Sequence, residues 1–281
     1  MAVRIVTDST SDLPLGAAKE LGISVVPLSV IFGNQVYREG VDISHDLFYD
    51  KMARSKVLPT TSAPSVGDFL EVYEPLLKET DEIVSIHLSS KLSATYNNAC
   101  QAAKQLAEKG ARIEVIDSLS ISVGLTFLSI AAARAAAGGA GVEEIRTIVE
   151  RMIPQIRILI VVDTLEYVRR GGRIGRARAF LGTMLRVKPM LSIRDGEVHP
   201  EERVRTKALA LNRLFQITTS YPRIKELAIG YSTNAQEAEE MRRRFADALP
   251  GVNVQVGRLG PVIGTHGGPG VLGIGVLEGE E

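Results

Sequence analysis

The chain has 281 residues, 45% hydrophobic and 23% charged, which is too apolar for a disordered chain and long enough for one large domain or two ordinary ones. Its 33 basic and 33 acidic side chains cancel, which excludes binding to nucleic acid through bulk charge. A single cysteine, Cys100, excludes an internal disulfide and fits a reducing, cytoplasmic setting.

Residues 3–8 read as a buried strand that runs into a polar turn, Asp8-Ser9-Thr10-Ser11-Asp12, and not as a secretory signal. Asp12 or Ser11 is expected to cap a short helix with Pro14 in its first turn. Residues 23–31 form a β-rich run, and Gly33-Asn34 returns it as a hairpin through Val36 and Tyr37. Residues 43–53 are amphipathic, with Leu47, Phe48 and Met52 on one side. After Pro59, the hydroxyl-rich stretch Thr60-Thr61-Ser62-Ala63-Pro64-Ser65 reads as a cap for a helix over 66–78. Residues 83–88 are a second buried strand. Ser89-Ser90-Lys91-Leu92-Ser93 leads from it into a helix over 94–109, with Ser93 where an N-cap belongs. Such a strand-to-helix turn also suits an anion, because free N–H groups and the positive end of the helix dipole point out of it. A strand over 112–116 ends in Asp117-Ser118. The most apolar segment, 121–137, carries Ser122, Thr126, Ser129 and Arg134 and reads as a core helix, so no transmembrane segment is expected. Gly138-Gly139 ends it, and a helix over 142–153 follows.

This alternation of strands and helices predicts an α/β fold with a mainly parallel sheet over 1–156. Ligands on such sheets collect at the carboxyl edge, where Asp8-Ser9, Ser89-Ser90 and Asp117-Ser118 fall. From residue 157 the pattern changes, and 157–281 reads as a second α/β domain with a mixed sheet. It holds a strand over 158–162, a glycine-rich loop Gly171-Gly172-Arg173-Ile174-Gly175, and a helix over 177–185. A hairpin follows through Asp195-Gly196, then helices over 206–219 and 235–248, and strands over 226–231, 252–256 and 271–277.

Several motif matches fail on context. Gly268-Pro269-Gly270-Val271-Leu272-Gly273 has the spacing of a dinucleotide fingerprint but leads into a strand, not a helix. Ala63-Pro64-Ser65-Val66-Gly67 is one residue short of a nucleophile elbow, and Ser65 reads as a cap. No Walker A sequence is present, and His45, His87, His199 and His266 lack metal-ligand spacing, so no metal is expected. His266 lies among glycines, where a ligand contact and a plain surface position fit the local sequence equally. Arg169, Arg170, Arg173, Arg176 and Arg178 form a basic cluster. A solvated face is the usual explanation of such a run, and the interleaved glycines raise a docking or phosphate-facing surface above its usual standing beside it.

These signals coincide in one family. Asp8-Ser9-Thr10, Thr61-Ser62-Ala63-Pro64-Ser65, Ser90-Lys91-Leu92-Ser93-Ala94-Thr95-Tyr96, Gly171-Gly172-Arg173-Ile174, Lys188-Pro189-Met190-Leu191, Val204-Arg205-Thr206 and His266-Gly267-Gly268-Pro269-Gly270 together resemble the DegV family, in order and over essentially the whole chain. The resemblance implies a two-domain protein enclosing a long-chain fatty acid. It implies no catalytic residue of its own and no cofactor beyond that ligand. Some members carry fatty acid for a bacterial fatty acid kinase, whose separate ATP-binding subunit phosphorylates the carboxylate to an acyl phosphate for phospholipid synthesis. The implied carboxylate ligands are Thr61, Ser93 and His266. The implied kinase- or phosphate-facing groups are Arg173 and its neighbours Arg170 and Arg176. The chain departs from the family pattern at Ala94, usually glycine, and at Ala63, often glutamine; neither change removes a hydroxyl.

The chemistry agrees with that implication. A buried carboxylate needs hydrogen bonds, and two hydroxyls and an imidazole can each donate one. Each buried methylene adds about 0.8 kcal/mol, so the chain should dominate affinity and the polar trio should orient the head. The helix around 125–137 is a candidate tunnel wall, against a plain core role for any one of its residues. Two other readings stand beside the carrier: a stand-alone lipid sensor, and a Ser/His esterase using Ser93 or Ser65 with His266. Transient membrane contact fits any lipid carrier.

Overall fold

The computed structural model describes residues 3–181 and 187–279. Arg4–Asp8 (β1) is buried along almost its whole length. A 3-10 turn over Ser9–Ser11 follows, then a short helix, Leu15–Glu20 (α1), whose N-cap is Pro14. Neither Ser11 nor Asp12 caps that helix. Asp12 closes the 3-10 turn in the left-handed region, and its carboxyl turns away to the far half of the chain. The run over 23–31 is two strands, Ile23–Val26 (β2) and Ser29–Phe32 (β3), in different sheets. Pro27 between them has no N–H to give to a ladder. The Gly33-Asn34 turn returns β3 as Gln35–Arg38 (β4). Ser44 caps His45–Arg54 (α2). Thr60–Ser62 (β5), expected as part of a cap, pairs antiparallel with β3. Ser65 alone caps Val66–Leu76 (α3), in a capping box with Asp68.

Glu82–His87 (β6), Thr95–Ala107 (α4), Arg112–Asp117 (β7), Val123–Ala137 (α5) and Val142–Met152 (α6) complete the first half. Strands β2-β1-β6-β7 form an all-parallel sheet in that order. The chain winds outward in opposite directions from β1 and β6, so the crevice at their carboxyl ends is the switch point where ligands bind in such sheets.

The second half contains Ile156–Val161 (β8), Glu166–Arg170 (α7), Lys188–Arg194 (β9), Glu197–Val204 (β10), Lys207–Thr219 (α8), Ile224–Tyr231 (β11), Ala235–Ala248 (α9), Val254–Arg258 (β12), Pro261–Gly267 (α10) and Leu272–Glu278 (β13). The expected hairpin is β9–β10, with Asp195 and Gly196 both at positive φ, as a tight two-residue turn requires. Of the helix expected over 177–185, Gly175–Phe180 is a 3-10 helix and 182–186 lie outside the described residues. The six strands are ordered β10-β9-β8-β13-β11-β12, antiparallel except at β11–β12. The sheet is therefore mixed, with the last strand of the sequence in its middle.

Alternation assigns the faces of this sheet. Leu159, Val161, Met190, Leu272, Ile274 and Val276 pack beneath α8 and α9. Ile158, Leu191 and Ile193 face the other way, into a core shared with β1, β6 and α5. Helix α5 touches strands of both large sheets, which explains why it is apolar all round.

Candidate functional site

Between the parallel sheet and the six-stranded sheet lies a cavity of about 460 Å³. Its walls are mostly aliphatic: Ile158 and Ile160 of β8, Leu191 and Ile193 of β9, with Leu28, Leu88, Leu259, Val262 and Val271. The wall contributed by the apolar helix is only its entry, Ile121 to Val123. Leu125 and Leu128 are core, at 0% exposure, and do not line the space.

A small set of polar side chains interrupts this lining: Thr61, Ser62, Ser93, Asn98, Ser122, Arg173 and His266. Hydrogen bonds among their side chains and to the Gly171 and Leu92 carbonyls bring four of them to one region. Thr61, on β5, places Oγ1 2.8 Å from Nε2 of His266. The backbone of Gly171 lies against the Nδ1 edge of that imidazole, where a Cβ would collide with Nδ1. Arg173 donates from Nη1 to Gly171 O at 2.7 Å and from Nε to Leu92 O at 3.0 Å, next to Ser93. Ser93 Oγ lies 2.8 Å from Thr95 Oγ1 and accepts from Thr95 N–H at 3.3 Å. Ala94, not Ser93, is the N-cap of α4. Ser93 thus serves the first turn of the helix from one residue outside it, with its hydroxyl on the cavity wall.

His266 was expected in a glycine turn, but it lies in the last turn of α10. Pro261 sits at the first helical position, where its missing N–H costs nothing, and Gly268 at φ 80° ends the helix. Burial, and then the Arg173 guanidinium, pull the His266 imidazole down to about 4. The ring is neutral near pH 7 and can donate one N–H. Its Nδ1 is buried and has no hydrogen-bond partner.

The three arginines expected together are separated. Arg173 lines the cavity and has no ion pair among the described residues. Arg170 is exposed and pairs with Glu166, and Arg176 is exposed with Glu197 at 3.5 Å. Part of the presumed arginine loop is helix α7, which ends at the glycine pair.

Other edge groups serve the scaffold. Ser89 donates to Gly196 O at 2.8 Å, and Asp117 accepts from Ser90 N–H. Asp8, at 0% exposure, accepts from Leu88 N–H at 2.9 Å and lies 3.0 Å from His87 Nδ1. His87 Nε2 lies 2.7 Å from Ser85 Oγ, which in turn accepts from Tyr73 at 2.8 Å. Sequence reading missed this chain, although Ser85 and His87, two apart on a strand, had to share a face. It also missed the support of α10. Asp12 accepts from Gly260 N–H at 2.8 Å and from Ser122, and Glu39 accepts from Val262 N–H at 2.8 Å. Burial pushes Asp12 up to about 7 and Glu39 up to about 8. These two carboxyls fix the start of the helix that carries His266.

The arrangement suits a carboxylate better than a hydrolytic centre. Ser93 is engaged with Thr95 and Ser65 with Asp68, while His266 pairs with Thr61. The Ser85–His87–Asp8 chain does not line the cavity. Among the described residues, no group of three or more His, Cys, Asp or Glu side chains could share a metal ion. Nor is any helix there long and apolar enough to cross a membrane.

Comparison with known proteins agrees with this geometry. A DegV family protein from Thermus thermophilus described as binding fatty acid superposes with a TM-score of 0.91, at 34% identity, over 99% of this chain and 100% of that one. DegV of Bacillus subtilis, a fatty acid binding protein, gives 0.91 at 32% identity, over 99% and 100%. A stearic acid-binding protein from Eubacterium ventriosum gives 0.90 at 28%, over 98% of each chain. A DegV domain-containing protein of Halalkalibacterium halodurans is 37% identical over 97% of both sequences. The family profile described as "Uncharacterised protein, DegV family" matches residues 2–279. With that match and an apolar cavity lined in part by hydroxyl, imidazole and guanidinium groups, the chain belongs to the DegV family.

Proposed function

We propose that this protein binds a long-chain fatty acid, with the acyl chain in the cavity and the carboxylate at Thr61, Ser93 and His266, beside Arg173. The observation that carries this reading is the polar cluster on the cavity wall. A neutral His266, whose Nε2 meets the Thr61 hydroxyl, stands beside a guanidinium that has no counter-ion among the described residues. A carboxylate supplies both the acceptor and the negative charge. Fatty acid binding by similar DegV proteins supports the same ligand.

The protein presents this carboxylate to a separate ATP-dependent kinase, which makes the acyl phosphate; the chain itself is a carrier, not an enzyme, and works in the cytoplasm. Two features support the presentation step. Thr61, His266, Arg173 and Ser93 form one polar cluster on the cavity wall, and Arg170 and Arg176 are exposed nearby in sequence, where a partner can reach them. In this reading the halves divide at 156/157, with all strands of the parallel sheet before the boundary. Native mass spectrometry of the purified protein, then lipid extraction, tests the proposal. A co-purifying long-chain fatty acid that is weakened or lost in His266→Ala and Ser93→Ala supports it. An empty protein that also refuses added fatty acid contradicts it. The kinase step is tested separately, by ATP-dependent turnover of the loaded chain with a partner kinase from the same organism.

A further inference from the structure

The floor of the cavity is uneven, and its unevenness has a simple cause in sequence. At one level across the six-stranded sheet the paired residues are Leu191, Ile160, Gly273, Gly230 and Gly257, on β9, β8, β13, β11 and β12. Residues paired in this way point to the same face. The row therefore begins with bulky branched side chains and ends as three glycines, forming a groove across β13, β11 and β12 that leads to the sheet edge. Gly257 at that edge is exposed, and a Cβ there would meet nothing within 4 Å.

Two aliphatic side chains are seated in the glycine surface. Leu259 lies over Gly230, its Cδ2 2.6 Å from where a Cβ would be, and Val123 lies over Gly275 on β13. Gly273 between them is bare. A Cβ there would meet only atoms at 3.7 Å or beyond, and Gly273 is partly accessible although its neighbours Leu272 and Ile274 are buried. The open space thus reaches the floor at Gly273 and is closed sideways by Leu259. The Leu259 backbone is held independently of that side chain. Its N–H donates to Tyr231 O at 2.8 Å, and its carbonyl accepts from Tyr49 at 3.0 Å.

We infer that Leu259, seated over Gly230 in the groove floored by Gly273, is the stop that sets the length of acyl chain the protein accepts. This rests on the fatty acid reading above. Beyond Leu259 the groove offers only glycine until the sheet edge, so trimming the side chain lets the chain end advance. Each further methylene buried adds about fourfold in affinity, and a two-carbon step roughly fifteenfold.

The test is competitive loading of delipidated protein with an equimolar panel of saturated straight-chain fatty acids from lauric to arachidic, read by native mass spectrometry. Leu259→Ala should move the preferred length upward by at least one two-carbon step. Gly273→Ala adds a methyl group where it fits, so it should move the preference downward while the melting temperature holds or rises. Opposite shifts in two folded variants are not what general loosening produces. A wild type that loads normally, with an unchanged length profile in both variants, overturns the stop and leaves the binding reading intact. A lengthened profile in Val123→Ala but not in Leu259→Ala also overturns it, by placing the stop over Gly275. A wild type that takes up no fatty acid removes both.

Discussion

Two histidines of this chain, His87 and His266, show how a site differs from a scaffold. His87 is fully enclosed and both ring nitrogens are engaged, one near Asp8 and one near Ser85, whose hydroxyl is in turn met by Tyr73. His266 is only partly buried and lines the cavity; its Nε2 meets Thr61, while Nδ1 is shut against Gly171 without a partner. A ring enclosed with every bond made stiffens a fold, whereas a ring that reaches a cavity and shares its Nε2 with a single hydroxyl can turn that bond to a ligand. The first chain resembles a catalytic triad in composition yet lies off the cavity; the second belongs to no triad and faces it.

The comparison is broken most sharply by exchanging the roles of the two rings. His87→Ala leaves Asp8 and Ser85 each short of a buried hydrogen-bond partner and should cost about 1–3 kcal/mol of stability for each. Lipid bound per folded molecule should stay unchanged. His266→Ala should do the reverse, holding the melting temperature near wild type and weakening fatty acid binding roughly ten- to hundredfold, the worth of one hydrogen bond to a charged group. Thermal melts and loading assays on both variants decide it; loss of lipid in the first with retention in the second would invert the assignment.

Arg173→Gln should come next. It removes the guanidinium that lines the cavity among the described residues, so it should weaken carboxylate binding and raise the His266 titration, which Arg173 holds down. Imidazole NMR titration of the lipid-free protein reads the second effect.

The pH profile sharpens the contrast further. The folded state favours neutral His266, so the stability linked to it is present above its ordinary value near 6.5 and is lost as pH falls through about 4. Asp12 and Glu39 have the opposite sign. Their folded values are raised, so their contribution is fully present below the ordinary carboxyl range and is lost as pH rises through about 7 and about 8. Lipid-free protein should therefore lose stability from pH 5 to 8 on account of this pair, and Asp12→Asn should flatten that limb in melts across pH. A limb unchanged in Asp12→Asn would show that the pair does not control it. The smallest effect belongs to Arg170→Ala and Arg176→Ala. Both side chains are exposed, and each change should alter stability by less than about 0.5 kcal/mol and leave lipid loading alone.

Much of this was legible before any coordinates. The parallel and mixed sheets follow from the alternation of apolar strands and helices, and the Asp195-Gly196 turn from its two residues. Ser65 as a cap follows from Asp68 three residues on. What misled was context. The α10 start was signalled by Pro261, but the glycines around His266 outweighed it. Thr60–Ser62 reads as a cap by composition and becomes a strand only because β3 offers an edge. The arginine cluster looked like one surface, yet Arg173 turns inward because the carbonyls of Gly171 and Leu92 receive it. The support of α10 by Asp12 and Glu39 joins residues more than 220 apart, a pairing that no local pattern carries. The floor of the cavity was hidden for the same reason: three glycines form a row only once β8, β13, β11 and β12 are in register.

The most direct test of the central claim is a crystal structure of the protein loaded with stearate. The account predicts the carboxylate within hydrogen-bond distance of the His266 ring and the hydroxyls of Thr61 and Ser93, with the acyl chain passing over Gly273 toward Leu259. A carboxylate bound elsewhere, or a chain lying with its methyl end at His266, would contradict it.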